Sequence, residues 1–428
     1  MSGAFDVVIV GTGHGGAQTA IALRKHGFEG SIGMIGEEQF PPYERPPLSK
    51  DYLAGSKSFE RLLIRPAQFW AERSIEIISG QRVETVDPTR REVTTSGGLR
   101  VAYGSLVWAA GGSARRLGCE GHDLAGVHSI RNKADVDAMV DELVAVERIC
   151  VIGGGFIGLE AAAVLTKLGK QITVIEAQER VLSRVAGPAL SRFFEIEHRS
   201  HGVDLRLGVG VDRILGDGDR VTGVRLADGN DIPCDMVIVG IGIVPEMGPL
   251  LNAGARCGNG VEVDAYCRTS LPDVYAIGDC ALHGNVHADW TQVRLESVQN
   301  ANDMAMTVAK TLCGGSEPYC AVPWFWSEQY DLKLQTIGLS SGHDVEIVRG
   351  DPASRSFSIA YLRAGRVIAF DCVNAVRDYV QGKGLILRVV DLVRLGDPSI
   401  SLKDVASAAE RGTPSSKATK PTVGARAV

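Results

Sequence analysis

Three glycines, Gly153, Gly155 and Gly158, follow an apolar β-branched run at 149–152 and open a helix-favouring segment, after which a second apolar run at 172–175 ends in Glu176. This is the spacing of a strand, a glycine turn, a helix and a second strand closed by an acid, an arrangement that binds a dinucleotide. Gly153 permits the tight turn, Gly155 lets a pyrophosphate approach the backbone, and Gly158 allows close helix packing. The helix N-terminus faces the phosphates, and Glu176 can accept hydrogen bonds from an adenosine ribose diol. The same unit stands about 140 residues earlier: a strand at 5–10, then Gly11, Gly13 and Gly16, a helix through 17–25, and a strand at 31–35 leading to Glu37. The repeat carries more weight than either copy. Two dinucleotide sites imply two dinucleotides, and hydride passing from a nicotinamide to a flavin uses both.

The elements that must hold these turns fit an α/β protein with two Rossmann-like units and a smaller third one. At 428 residues the chain is long enough for two or three domains, and 45% hydrophobic with 22% charged residues reads as an ordinary globular composition. A net charge of -6 argues against a nucleic-acid partner. No apolar run approaches the ~20 residues of a membrane span, and the first strand begins at once, so the expectation is a cytoplasmic protein without a signal peptide. The nine cysteines are scattered with no CxxC or metal-ligand spacing, and no metal is expected.

Residues 41–53, PPYERPPLSKDYL, cannot start as a helix and are expected to run extended over the first unit, carrying Arg45 and Lys50. Residues 80–86 and 99–104 read as short strands, and 105–112, SLVWAAGG, as a buried strand ending in small residues that permit close backbone approach. After residue 320 the texture changes: Trp324, Phe325 and Trp326 precede strand-like segments at 332–337, 345–349, 356–362 and 367–373 and a helix near 374–383. Residues 413–428 read as a flexible tail.

The order GTGHGG, PPYERPPLSKDYL, LVWAAGG, VIGGGFIGLE, VYAIGDCA, ESVQNAND and VPWFWSEQYDLKLQTIGL resembles the flavoprotein ferredoxin reductases of the putidaredoxin reductase and biphenyl dioxygenase reductase type, in the glutathione-reductase-like superfamily. The resemblance covers about residues 5 to 410. It implies an FAD domain in two pieces, 1–112 and 243–319, an NADH domain at 113–242, and a C-terminal domain at 320–412. It places the FAD pyrophosphate on Gly11, Gly13, Gly15 and Gly16, its adenosine ribose on Glu37, and the adenine at the Val83 backbone. Arg45 and Lys50 would face the flavin, Arg131 the phosphates, Asp279 the ribityl and phosphate region, Val298 the pyrimidine edge, and Trp326 the ring. Gly242 would admit the nicotinamide carboxamide. Ala110, Gly111, Gly278 and Arg184 complete the cofactor-binding positions that it implies.

Phe156 and Glu160 lie four apart on the helix of the second glycine motif and so share a face. The resemblance implies that Phe156 covers the flavin until the nicotinamide displaces it, and that Glu160 pairs with Lys50 near the reacting centre, the cation offsetting negative charge as hydride arrives. Glu176 repels a 2′-phosphate and neither Ala177 nor Gln178 offers a guanidinium to bind one, which favours NADH over NADPH. The loop at 37–50 lacks the cysteines that disulfide reductases, peroxidases and oxidases of this superfamily use, and no cysteine cluster supplies an iron–sulfur centre. Electrons therefore leave to an external one-electron acceptor. The expected partner is a [2Fe-2S] ferredoxin serving a cytochrome P450 or a Rieske oxygenase, met by a monomer or weak homodimer. Rubredoxin reductase, NADH oxidase and a flavin-bound signalling protein of the apoptosis-inducing-factor kind are the alternatives. An acidic ferredoxin would need local cations around the flavin edge, for which Arg65, Arg294, Lys383 and Arg388 are the candidates.

Two expectations can be measured. Replacing Glu176 with Ala and Ala177 with Arg should shift preference towards NADPH, and an unchanged ratio of kcat/KM for the two nucleotides would show that Glu176 does not read the ribose. Replacing Cys280, beside Asp279, with Ser or Ala should leave turnover largely intact, whereas loss of ferredoxin reduction with FAD retained would bring a thiol into the mechanism.

Overall fold

The structure, a computed structural model, describes residues 3–407 and 410–411; the expected tail at 413–428 lies outside them. Strand β1 (Gly3–Val10) enters helix α1 (His14–Lys25) through the first glycine turn and returns in β2 (Ile32–Ile35). With β3 (Ile75–Ile78), β4 (Val83–Asp87), β5 (Glu92–Thr95) and β6 (Arg100–Trp108) they form one sheet in the order β3-β2-β1-β6-β5-β4. The segments expected as separate strands at 99–104 and 105–112 are the single strand β6, which ends at Trp108. Its first half pairs antiparallel with β5 and its second half parallel with residues Val274–Ala276, so a change of partner, not a break in the chain, divides it.

The second glycine turn stands in the same setting. Strand β7 (Val127–Ser129), helix α2 (Lys133–Leu143), β8 (Arg148–Ile152), α3 (Phe156–Lys167), β9 (Gln171–Glu176), α4 (Pro188–Ser200), β10 (Asp204–Leu207) and β11 (Met236–Val239) give a wholly parallel sheet in the order β10-β9-β8-β11-β7. In each sheet the glycine strand lies between its own βαβ partner and a strand from later in the chain. That is the switch point where open α/β sheets leave a crevice beyond their carboxyl ends.

The glycines behave alike in the two copies. Gly11 and Gly153 take φ of 106° and 110°, and a Cβ there would lie 2.3 Å from the Ala109 carbonyl and 2.4 Å from the Gly240 carbonyl. Each first glycine thus lets its turn pass against the strand across the crevice. A Cβ on Gly16 or Gly158 would fall 1.9 Å or 2.2 Å from the carbonyl of Gly11 or Gly153, so the third glycine of each set closes the helix onto its own turn.

Residues 41–53 depart from expectation. They do not run extended across the first unit: Pro46–Ser49 is a 3₁₀ turn, with proline at its first positions where no amide donor is needed. Tyr43, Leu48 and Leu53, with Leu62 beyond the segment, then bury in a core shared with Leu159 of α3 and Ile238 of the second sheet. Apolar side chains spaced between prolines outweigh the extended tendency, because their burial contributes about 1.5–3 kcal/mol each.

The third unit is an antiparallel sheet of β12 (Trp324–Gln329), β13 (Leu332–Gly338), β14 (Val345–Arg349), β15 (Phe357–Arg363) and β16 (Arg366–Val373), ordered β12-β13-β16-β15-β14, followed by α5 (Val376–Gly382). The aromatic run at 324–326 does not precede the sheet but forms the start of its edge strand. Leu332, Leu334, Phe357 and Tyr361 join the core that holds Leu159 and Leu48, so all three units meet in one apolar interior. No helix among the described residues is long and apolar enough to cross a membrane.

Gly158→Ala should lower the unfolding free energy by about 1–3 kcal/mol, since neither the turn nor the helix can retreat. Gly155→Ala, whose added methyl meets open space, should leave stability within about 0.5 kcal/mol and instead weaken dinucleotide binding. Equal denaturation midpoints for the two variants would show that packing does not require the third glycine.

Candidate functional site

A single cavity of about 1070 Å³ opens along both glycine turns. Every expected site residue lines it except Gly16 and Gly158, which are spent on packing and offer nothing to a phosphate.

On the side of the first turn, Gly11, Gly13 and Gly15 face the cavity at the start of α1, and Gly13, as its N-cap, has no side chain to fill the place of an anion. Arg45 leans over this end, bonding Glu38 at 2.6 Å and the Arg131 carbonyl at 2.8 Å. Arg131 pairs with Asp279 at 3.6 Å, each with 22% of its side chain exposed. Both nevertheless sit deep enough that burial raises the Asp279 carboxyl and lowers the Arg131 guanidinium, while each opposes the other's shift. Such a pair is poised to exchange partners with hydroxyls and phosphate oxygens. His14 was not foreseen; burial, then Arg45 and Arg131, hold its imidazole down to about 4, so it is neutral beside the cations.

At the far end of the same side Val83 lines the wall beside Glu37. Glu37 is largely exposed and meets Arg82 at 3.2 Å, and Arg82 turns its other nitrogen to Glu246 at 2.8 Å. Neither Arg82 nor Glu246 could be read beforehand, because they lie 164 residues apart and meet only through the fold. Ala110, Gly111 and Gly278 supply backbone to the wall, Gly111 and Gly278 at φ of 66° and 73°. Val298 opens the helix Val298–Leu312, capped by the Ser297 side chain, and points that N-terminus into the cavity.

On the side of the second turn, Gly153 and Gly155 line the cavity with Phe156 and Glu160 of α3. Glu176 accepts from the Gly154 amide at 2.7 Å and the Gln178 amide at 2.8 Å, which fixes its carboxylate at the end of β9 with acceptor capacity left for a diol. Gly242, at φ of 98°, lies under Arg184, whose guanidinium would be 3.6 Å from a Cβ there.

The two sides are joined by one ion pair. Lys50 Nζ donates to Glu160 Oε2 at 2.7 Å, and Glu160 is only 3% exposed. Ser49 donates to the same oxygen at 2.6 Å and Ser327 to Oε1 at 2.7 Å. The two serines were missed, although alternation along β12 predicts the second: Phe325 and Ser327 share a face, as Phe156 and Glu160 do on α3, and the paired spacings are nearly equal. Phe325 accordingly packs on Phe156 with centroids 4.6 Å apart. Trp326, on the opposite face, lines both this cavity and a second opening of about 350 Å³ reached past Lys50 and Val298.

The rim of that opening carries Arg65 together with Glu44, Asp51 and Glu328, so its charge is mixed and no local excess of cations stands there. Arg294 is not a surface residue: its side chain is 10% exposed, pairs with Glu296 at 2.7 Å and donates to the Asp279 carbonyl at 2.9 Å. Its proximity in sequence to the helix Val298–Leu312 pointed to the right place but the wrong depth. Lys383 and Arg388 line neither opening. None of the nine cysteines lines either one, and Cys280 is wholly buried with its thiol pushed up to about 12. Among the described residues no cluster of three His, Cys, Asp or Glu is placed to hold a metal.

Residues 5–305 match the family model for pyridine nucleotide-disulphide oxidoreductases, and residues 324–406 match the reductase C-terminal model. The chain is 60% identical over 407 residues to the 5,5'-dehydrodivanillate O-demethylase ferredoxin reductase subunit of Sphingobium sp. (strain NBRC 103272 / SYK-6), covering 94% of this chain and 99% of that one. It superimposes with a TM-score of 0.91 and 39% identity on the ferredoxin reductase for the CYP199A2 system from Rhodopseudomonas palustris, over 94% of this chain and 100% of that one. The reductase in the covalent putidaredoxin reductase–putidaredoxin complex matches equally, at 0.91 and 39% over 94% and 98%. The overall fold is thus shared with these reductases, and the chain belongs to the pyridine nucleotide-disulphide oxidoreductase family.

Proposed function

We propose that the protein is a cytoplasmic, NADH-dependent ferredoxin reductase that carries FAD and passes single electrons to a [2Fe-2S] ferredoxin serving a cytochrome P450 or Rieske-type oxygenase. The observation that carries this reading is the wall of the cavity: it joins both glycine turns, holds Lys50 against Glu160, and contains no cysteine. The names of the matched reductases support the same acceptor class. The site residues divide accordingly. FAD would lie along Gly11, Gly13 and Gly15 with Arg45, Arg131 and Asp279 about its phosphates and ribityl chain, and NADH along Gly153 and Gly155 with Glu176 on its ribose. The corresponding domains are 1–112 with 243–319 for FAD, 113–242 for NADH, and 320–412 at the C-terminus.

FAD held there supplies hydride acceptance from NADH and one-electron release. The protein's own part is electrostatic and steric. Lys50 presents a cation to the negative charge that builds up on reduction, Glu160 keeps that ammonium in place, and the amide end of the helix beginning at Val298 adds a fixed positive dipole. Phe156, held by Phe325, shields the site from water until a nicotinamide takes its place. Glu176, anchored by two backbone amides, selects the unphosphorylated ribose.

Stopped-flow mixing tests this directly. NADH should bleach the flavin, a panel of [2Fe-2S] ferredoxins should reoxidise it faster than rubredoxin or oxygen, and failure with every ferredoxin would refute the acceptor class. Lys50→Met should retain FAD, seen at its visible absorbance, and slow flavin reduction by about 10²-fold. An unchanged rate would remove the cation from the mechanism.

A further inference from the structure

Behind Glu160 runs a buried row of polar groups that binding of the two nucleotides does not itself require. Ser327 Oγ donates to Glu160 Oε1 at 2.7 Å, and Gln329 Nε2 donates to Ser327 Oγ at 3.3 Å. Since the Gln329 amide nitrogen is so used, its Oε1 accepts, and the partner at 2.8 Å is His198 Nε2. His198 therefore carries its proton on Nε2, leaving Nδ1 to accept from the Tyr330 hydroxyl at 3.0 Å. All four links point their hydrogens the same way, towards the carboxylate. Ser327, Gln329 and His198 are 1%, 2% and 0% exposed, so no water competes along the row.

Buried polar groups are costly unless fully paired, and a row whose dipoles align strengthens each member in turn. The direction here also has a meaning. A carboxylate that only accepts, facing a hydroxyl, a second hydroxyl and an ammonium, is an ionised one, and its negative charge is partly neutralised by the row behind it. His198, which burial holds down to about 4, stays neutral and preserves the direction. The row begins at Tyr330, just past β12, crosses to His198 on α4, returns to Gln329 and Ser327 on β12 and ends at Glu160 on α3, so it crosses the seam between the two units three times.

We propose that Ser327, backed by Gln329, His198 and Tyr330, is a positioning residue for the flavin reaction: it holds the Glu160 carboxylate in one orientation against Lys50 and, by offsetting part of its charge, raises the reduction potential of the bound flavin. This rests on the placement of Lys50 and Glu160 at the flavin. Removing the hydroxyl leaves the carboxylate more negative and free to take up more of the Lys50 charge, which disfavours the electron-rich reduced cofactor. The expected effect of Ser327→Ala is about a tenfold shift of the two-electron equilibrium towards the oxidised form, or about 30 mV. The limiting rate of reduction by NADH should fall by about tenfold, as for a hydrogen bond to a charged group, with the affinity for NADH unchanged.

The experiment is a dye-mediated redox titration of the FAD-loaded full chain for the parent, Ser327→Ala, Ser327→Thr and Gln329→Leu. Ser327→Thr, which keeps the hydroxyl, should restore the parent potential, and Gln329→Leu should shift it the same way as Ser327→Ala but less. A merely structural serine would lower the melting temperature and leave the potential where it was, and that result overturns the proposal. If Ser327→Ala does not retain FAD, the Gln329→Leu titration decides, an unshifted potential again overturning it. The titration needs neither NADH nor ferredoxin, so failure of every ferredoxin as acceptor would sink the functional reading while leaving the measured potentials to judge the row.

Discussion

The buried carboxylate of Glu160 is the constraint on which the rest of the molecule turns. Taking an ionised group out of water costs several kcal/mol even after relaxation, and only partners on each oxygen offset it. Three stretches therefore meet at this group: α3, which carries Glu160, residues Ser49 and Lys50 after the first dinucleotide unit, and Ser327 in the third sheet. None of the three can move alone without leaving a charge or a donor unpaired. The apolar interior repeats the arrangement, since Leu48, Leu159 and Leu334 bury in one core. Packing brings the three units together, and the carboxylate decides their register.

That fixed junction explains how two copies of one supersecondary unit come to do different work. Both build the same crevice by the same glycine geometry, and both aim a helix N-terminus at it. They diverge in what lies against the helix. Helix α1 packs on the helix Val298–Leu312, whose own N-terminus enters the cavity, so the first site is walled by backbone dipoles and the guanidinium of Arg45. Helix α3 packs instead on β12, which supplies Phe325 against Phe156 and Ser327 against Glu160. The second site is therefore walled by a packed aromatic pair and a charged cluster. The Lys50–Glu160 pair stands between the two sites, and Trp326 lines both the cavity and the second opening.

Much of this was written locally. A residue at φ near 110° in a tight turn must be glycine, apolar runs of four to six β-branched residues make parallel strands, and a terminal acid stands at the carboxyl end of its strand, at the mouth of the crevice. Those signals depend only on close neighbours in the chain, so the two glycine units, the acids Glu37 and Glu176 and the strands of the third sheet were legible from the residues. Phe156 and Glu160 could be placed on one helix face for the same reason. The tertiary structure decided whatever depended on distant partners. It showed that β6 is one strand with two neighbours, that residues 41–53 turn inward to complete a core, and that Arg294 lies beneath the surface. It brought Ser49 and Ser327 to Glu160 from 111 and 167 residues away in the chain. A lone serine bears no pattern of its own, and an arginine looks alike on a surface or in a core. Their roles come from burial and from the group they meet, which are properties of the packed chain and not of any stretch of it.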